Sequence, residues 1–174
     1  MFENFYNFAG ISVQENIQTA EQFIEKYEGY TFLDGMYRFF RKEDVPKWNG
    51  IVGRAFPPAM NRVQVFAYDW QGRVFAIFSK TNTVLILDPG TGDALNSQMD
   101  FLGFHNVIIP KDHEFCLLSA DFKEWKHIHS IDIAHNECVG FRVPLFLNGR
   151  DEMENLEVSD MEVYWEIMGS LINA

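Results

Sequence analysis

Three groupings of residues in this chain have the types and spacing that chemistry uses. The first is Asp88-Pro89-Gly90-Thr91-Gly92-Asp93, a glycine-bearing loop of the kind that can cradle a phosphate. It lacks the Gly-Lys-Ser/Thr that would reach the phosphates and a metal, and no clear helix opens after it. It therefore reads as a turn between two elements. The second is His127-Ile128-His129. On a strand, these two imidazoles would share a face, with His135 or Asp132 as further ligands. No cysteine lies near in sequence, and the expectation is exposed strand-face histidines without a metal. The third is the cysteine pair, Cys116 and Cys138. A nucleophile needs a histidine and an acid arranged around it. There is no Gly-x-Ser-x-Gly elbow, and Cys116 falls in an apolar helical stretch, where a thiol is inert. Carboxylate pairs abound, as any acidic chain supplies them by chance. The residues assign no catalytic group and no cofactor, and the chain reads as a binding protein rather than an enzyme.

Charge is the more informative feature. Acids outnumber bases 25 to 14, giving a net charge of −11. Direct nucleic-acid binding needs clustered Lys and Arg, so it is disfavoured. An acidic surface instead attracts a basic protein. Asp151, Glu152, Glu154, Glu157, Asp160, Glu162 and Glu166 follow one another with no Lys or Arg between them. Asp160 and Glu162 suit the positive end of a helix. That does not account for the loop residues Asp151, Glu152 and Glu154. These three are candidate partner-binding residues, with Asp88 and Asp93 of the turn. Asp69, Trp70 and Arg73 join them, either as contacts or beside a small-ligand pocket in a regulatory module.

The elements that must position these residues are legible from periodicity. The 174 residues suit one domain, spanning 1–174. An apolar fraction of 47% is core-forming rather than disordered. Two cysteines make no disulfide framework. The N-terminus has no basic flank with a long apolar run, and no stretch approaches a membrane span. The expectation is a soluble, cytoplasmic chain with no membrane partner.

A helical part covers about residues 1–32, where Ser12-Val13-Gln14-Glu15 has capping-box spacing before Ile17, Ala20, Phe23, Ile24 and Tyr27. Gly35 to Arg41 reads as a short strand. Asp44 caps a second helix, with Val45, Trp48, Ile51, Val52 and Ala55 on its apolar face. Arg62–Trp70 and Arg73–Ser79 pair across a Gln71-Gly72 turn. Thr83–Asp88 is continuously apolar at its centre and should be central and covered on both faces. Asn106–Ile109 reads as extended. Asp112 then caps a long helix bearing Phe115, Leu118, Phe122 and Trp125. Ile128–His135 and Cys138–Val143 read as strands. Ser159-Asp160-Met161-Glu162 is a second capping box, before Met161, Tyr164, Trp165, Met168, Leu171 and Ile172 at helical spacing. The fold class is α+β, an antiparallel β-sheet meander flanked by helices.

Several segments also resemble a known family. They include Gly35-Met36-Tyr37-Arg38-Phe39, Lys47-Trp48, Ala55-Phe56-Pro57 and Phe66-Ala67-Tyr68-Asp69-Trp70-Gln71-Gly72-Arg73-Val74-Phe75-Ala76. Further along come Leu87-Asp88-Pro89-Gly90-Thr91-Gly92, Phe104-His105-Asn106, Cys138 to Leu147, Asn155-Leu156 and Glu162-Val163-Tyr164-Trp165. Over about residues 33–172 the chain is similar to the GAD-like domain family, found as the C-terminal part of type VI secretion DNase immunity proteins and long described only as a domain of unknown function. The resemblance implies an antitoxin that binds and blocks a cognate toxin, often a nuclease. It brings no catalytic residues to carry over.

Overall fold

The computed structural model describes residues 1–12 and 16–174. Residues from Thr31 to Asn96 form six antiparallel strands paired in chain order. They are β1 (Thr31–Phe32), β2 (Tyr37–Phe39), β3 (Val63–Asp69), β4 (Val74–Phe78), β5 (Thr83–Asp88) and β6 (Asp93–Asn96). A second, two-stranded sheet joins β7 (Glu137–Phe141) to β8 (Leu156–Asp160). The helices are α1 (Glu3–Ala9), α2 (Ala20–Lys26), α3 (Val45–Ala55), α4 (Phe101–Gly103), α5 (Ile109–Cys116), α6 (Ser119–His129) and α7 (Met161–Ile172). The fold is therefore α+β, with a meander flanked by helices.

Strand alternation divides the interior into two cores, because successive side chains leave a strand on opposite faces. Phe75, Val84 and Ile86 enter one core, built with α1, α2 and the aromatic run from Phe101 onward. Val74, Ala76 and Leu87 enter the other, built with α3 and α7. A bulge between Val65 and Ala67 shifts the β3–β4 register. It explains how the neighbours Phe66 and Ala67 share the first core while Val65 and Tyr68 share the second. The apolar run of β5 is covered on both faces, as its composition requires. It is not central: its outer neighbour β6 is exposed at all four positions.

Several local readings need correction. Asn106–Ile109 is helical, not extended. Asp100 accepts from the Gly103 N–H at 2.7 Å, and a π turn (Phe104–Ile108) runs into α5. Phe101, Phe104, His105 and Ile109 are buried together at the spacing of a helix stripe. Asp112 does not cap a long helix but lies inside α5 with non-helical backbone (φ −135°). Leu118, at φ 49°, then separates α5 from α6 and leaves Phe115 exposed. No strand covers Ile128–His135: α6 runs to His129, Ser130 ends it in a left-handed conformation, and the Arg38 guanidinium donates to the Ile133 and Ala134 carbonyls beyond. The cap of α7 is Asp160 rather than Ser159, accepting from the Val163 N–H at 3.0 Å. Of the first capping box, Val13–Glu15 lies outside the described residues. The helix there starts at Ala20, with Thr19 accepting from the Gln22 N–H.

Candidate functional site

Asp69, Trp70 and Arg73 do not form a contact surface, because burial removes them from a partner's reach. Their exposures are 0%, 0% and 4%. Oδ1 of Asp69 accepts from the backbone N–H groups of Gln71 and Arg73 at 3.1 and 3.0 Å. Its Oδ2 accepts from Nε of Arg73 at 2.7 Å. Nη2 of the guanidinium, also 2.7 Å from Oδ2 of Asp69, donates to the Cys116 carbonyl at 3.0 Å. Trp70 Nε1 donates to the Leu117 carbonyl at 3.2 Å. From the opposite core, Trp165 Nε1 donates to the Gly72 carbonyl at 2.7 Å. The turn therefore pins the end of α5, the sheet and α7 to one point. Burial pushes the Asp69 carboxyl up to about 6, while the neighbouring guanidinium pulls the other way.

Gly72 takes φ 82°, and a Cβ there would lie 2.9 Å from Cys138 Sγ. Gly72→Val is accordingly expected to destabilise the fold by about 1–3 kcal/mol, through backbone strain and crowding. An unchanged urea midpoint would show that the turn can relax away from both.

The Asp88 turn is also built for structure. Its half-buried carboxylate accepts from the Gly90 and Thr91 N–H groups, an Asx turn. Burial raises its pKa, and Arg73 opposes that. Asp93, at the start of the edge strand, is exposed.

The acidic run is only partly what the sequence suggests. The fold brings cations from distant segments: Lys47 to Glu162 at 2.7 Å, Arg54 to Glu166, and Arg142 to Glu157 at 3.2 Å. Glu152 pairs with the exposed Arg150 at 3.7 Å, an interaction worth little in water. Asp151 and Glu154 are exposed and have no ion pair among the described residues. Asn155 shapes this loop, donating to the carbonyls of Val143 and Arg150 at 2.8 Å each. Asp151 lies close enough to Asp121 to matter: burial, then Asp151 and Glu124, raise the Asp121 pKa.

The histidines form no metal set. His127 and His129 lie on the last turn of α6, where residues two apart point away from each other. Asp132 is paired with Lys126 at 2.7 Å. Among the described residues no group of three or more His, Cys, Asp or Glu side chains is placed to hold a metal ion. No described helix is long and apolar enough to cross a membrane.

Two clefts of similar size lie elsewhere, and sequence reading missed both. A polar one of about 350 Å³ lies between β3, the start of α3 and the start of α7, with Arg41, Asp44, Lys47 and His135 on its walls. Burial first, then Arg41 and Arg38, lower the His135 pKa. A more apolar one of about 310 Å³ lies between α2 and α3. Asp69, Trp70 and Arg73 line neither.

No known family model matches the chain. No curated protein is significantly similar to it in sequence. Among solved structures it is similar to Atu4351 from Agrobacterium tumefaciens, with a TM-score of 0.59 at 14% identity, over 97% of this chain and 88% of that one. At that identity the likeness is one of fold.

Proposed function

We propose that the chain is an immunity protein that binds a basic cognate toxin, a type VI secretion nuclease, and blocks it by occluding its cationic cleft. The observation that carries the reading is the loop from Asp151 to Glu154. It is exposed, held in shape by Asn155, and among the described residues it has no strong cationic partner, although the neighbouring acids have theirs. The net charge of −11 adds long-range attraction for a basic partner. A nuclease presents Lys and Arg to DNA, and an acidic protein competes for the same groups. The action needs no catalysis, and its place is the cytoplasm of the cell that makes the toxin.

The direct test is coexpression with the neighbouring open reading frame, capture of the complex, and assay of the nuclease with and without this chain. No captured protein, or a captured nuclease left fully active, rejects the reading. Charge reversal then locates the contact. Asp151→Lys with Glu154→Lys is expected to slow association and to flatten its salt dependence, since long-range attraction acts mainly on the on-rate and fades with screening. The fold should hold within about 0.5 kcal/mol, as exposed sites do. Biosensor kinetics at several ionic strengths read both quantities. Unaltered kinetics in the double variant would move the interface to another face.

A further inference from the structure

The apolar cleft between α2 and α3 has features that the fold itself does not use. Its floor is Phe40 and Val65, with Ile24, Val45 and Ile77 only half-buried around them. The cleft opens where α2 covers one face of the sheet and α3 begins on the other. One wall carries Glu21, Glu25 and Glu28, which recur with Ile24 at i, i+3, i+4 and i+7. Phe23 and Tyr27 take the opposite side of this turn into the core. Across the cleft stands Lys42, whose backbone N–H donates to Glu28 at 3.0 Å. The site therefore joins an apolar, concave floor to an excess of negative charge on its rim.

We propose that this cleft is a docking groove for a basic amphipathic segment of a partner protein. Apolar side chains of the segment enter between Ile24 and Val45, and its Lys or Arg residues meet Glu21, Glu25 and Glu28. Half-exposed apolar side chains around a concave floor are a feature of interaction sites, and a helix-in-groove mode reads one face of the incoming segment. Charge complementarity selects the partner: an acidic or neutral amphipathic segment would fill the floor and leave the glutamates opposed. The proposal takes from the antitoxin reading only that the partner is basic.

The probe is a short synthetic helix-forming peptide with leucines at i, i+3, i+4 and i+7 and lysines elsewhere. Its controls are a scrambled peptide and one with glutamates for the lysines. Binding to the full chain is followed by titration calorimetry. The wild type is expected to bind the basic amphipathic peptide and neither control. Glu21→Lys with Glu25→Lys, both exposed, should weaken binding about tenfold or more, equivalent to about 1.4 kcal/mol. Ile24→Lys should do the same through the floor. Glu114→Lys with Glu124→Lys changes the net charge equally at exposed positions away from the cleft, and should leave binding within about threefold, well under that step. No binding by the wild type overturns the proposal. So does equal weakening by the remote pair, which would reduce the effect to net charge. Toxin capture separates the two readings. If Glu21→Lys with Glu25→Lys captures toxin as well as the wild type does, the groove is overturned and the antitoxin reading stands. If these variants lose the peptide in a chain that captures no toxin, the groove is upheld and the antitoxin reading falls.

Discussion

Arg73→Met is expected to destabilise the protein by about 3–5 kcal/mol, because it leaves one partner of a buried ion pair uncompensated. Asp69 is fully buried, and without the guanidinium its Oδ2 loses the donor at 2.7 Å. The Cys116 carbonyl loses its donor too. The loss is a large fraction of an ordinary domain's stability. A pH signature identifies the cause. Asp69 already titrates in the folded chain near 6, above its ordinary value, because of burial. Without Arg73 it should rise further. A carboxyl whose folded pKa lies above its unfolded value makes a contribution that is fully present below the unfolded value and lost as pH rises through the folded one. The variant should therefore lose less stability at pH 5 than at pH 7.5. Adding Asp69→Asn should recover part of the deficit, since the two changes share one interaction. Urea denaturation of the wild type and the two variants at both pH values measures this. A loss below about 1 kcal/mol would mean that the pair is replaceable by packing.

His105 should make the fold acid-sensitive. Its ring is fully buried among aromatic side chains, with Phe101 and Phe5 centroids at 4.2 and 5.0 Å. Nδ1 donates to the Phe101 carbonyl at 2.8 Å. That fixes the neutral tautomer, whose Nε2 accepts from the Tyr37 hydroxyl at 3.1 Å. Burial lowers the His105 pKa to about 3. Unfolded, it returns to about 6.5. The unfolded chain alone takes up this proton between those values, so stability is lost as pH falls from 6.5 toward 3, by about 1.4 kcal/mol per pH unit. At pH 5 the loss from this group is about 2 kcal/mol. Asp69 acts in the opposite direction between about 4 and 6, so the wild-type curve alone does not isolate either residue. The measurement is the difference in unfolding free energy between wild type and His105→Gln across that range. The wild type should lose about one proton's slope more. A folded-state imidazole that titrates near 6.5 by NMR would sink the account.

Much of the architecture was legible because it follows from local periodicity. Val74 to Phe78 alternates and pairs across Gly72, and Val84 to Leu87 is apolar on both faces and is covered on both. Met161, Tyr164, Trp165 and Met168 recur at helical spacing and are buried. The helix from Phe101 was missed although its stripe was present. Gly103 and the polar stretch Asn96-Ser97-Gln98 ahead of Phe101 mask the pattern, and the Asp100 cap starts the helix. β8 was missed because Leu156 to Asp160 carries one buried residue and four that are not. Such a strand exists by pairing with β7, which no short window of sequence contains.

The candidate site divides along the same line. Composition by itself determined the acidic surface, since −11 is a property of the residues and not of their arrangement. Only the tertiary structure decided which acids are left to meet a partner. Lys47, Arg54 and Arg142 reach Glu162, Glu166 and Glu157 from other segments, while Asp151 and Glu154 receive no such cation among the described residues. The same holds for Asp69, Trp70 and Arg73, whose types suggest recognition. A charged pair can be sealed inside only where the surrounding backbone supplies its hydrogen bonds, and those carbonyls come from α5, more than forty residues away in the chain. Ion pairing and burial depend on distances in space, and for these residues the chain sets those distances only once the helices close over the sheet.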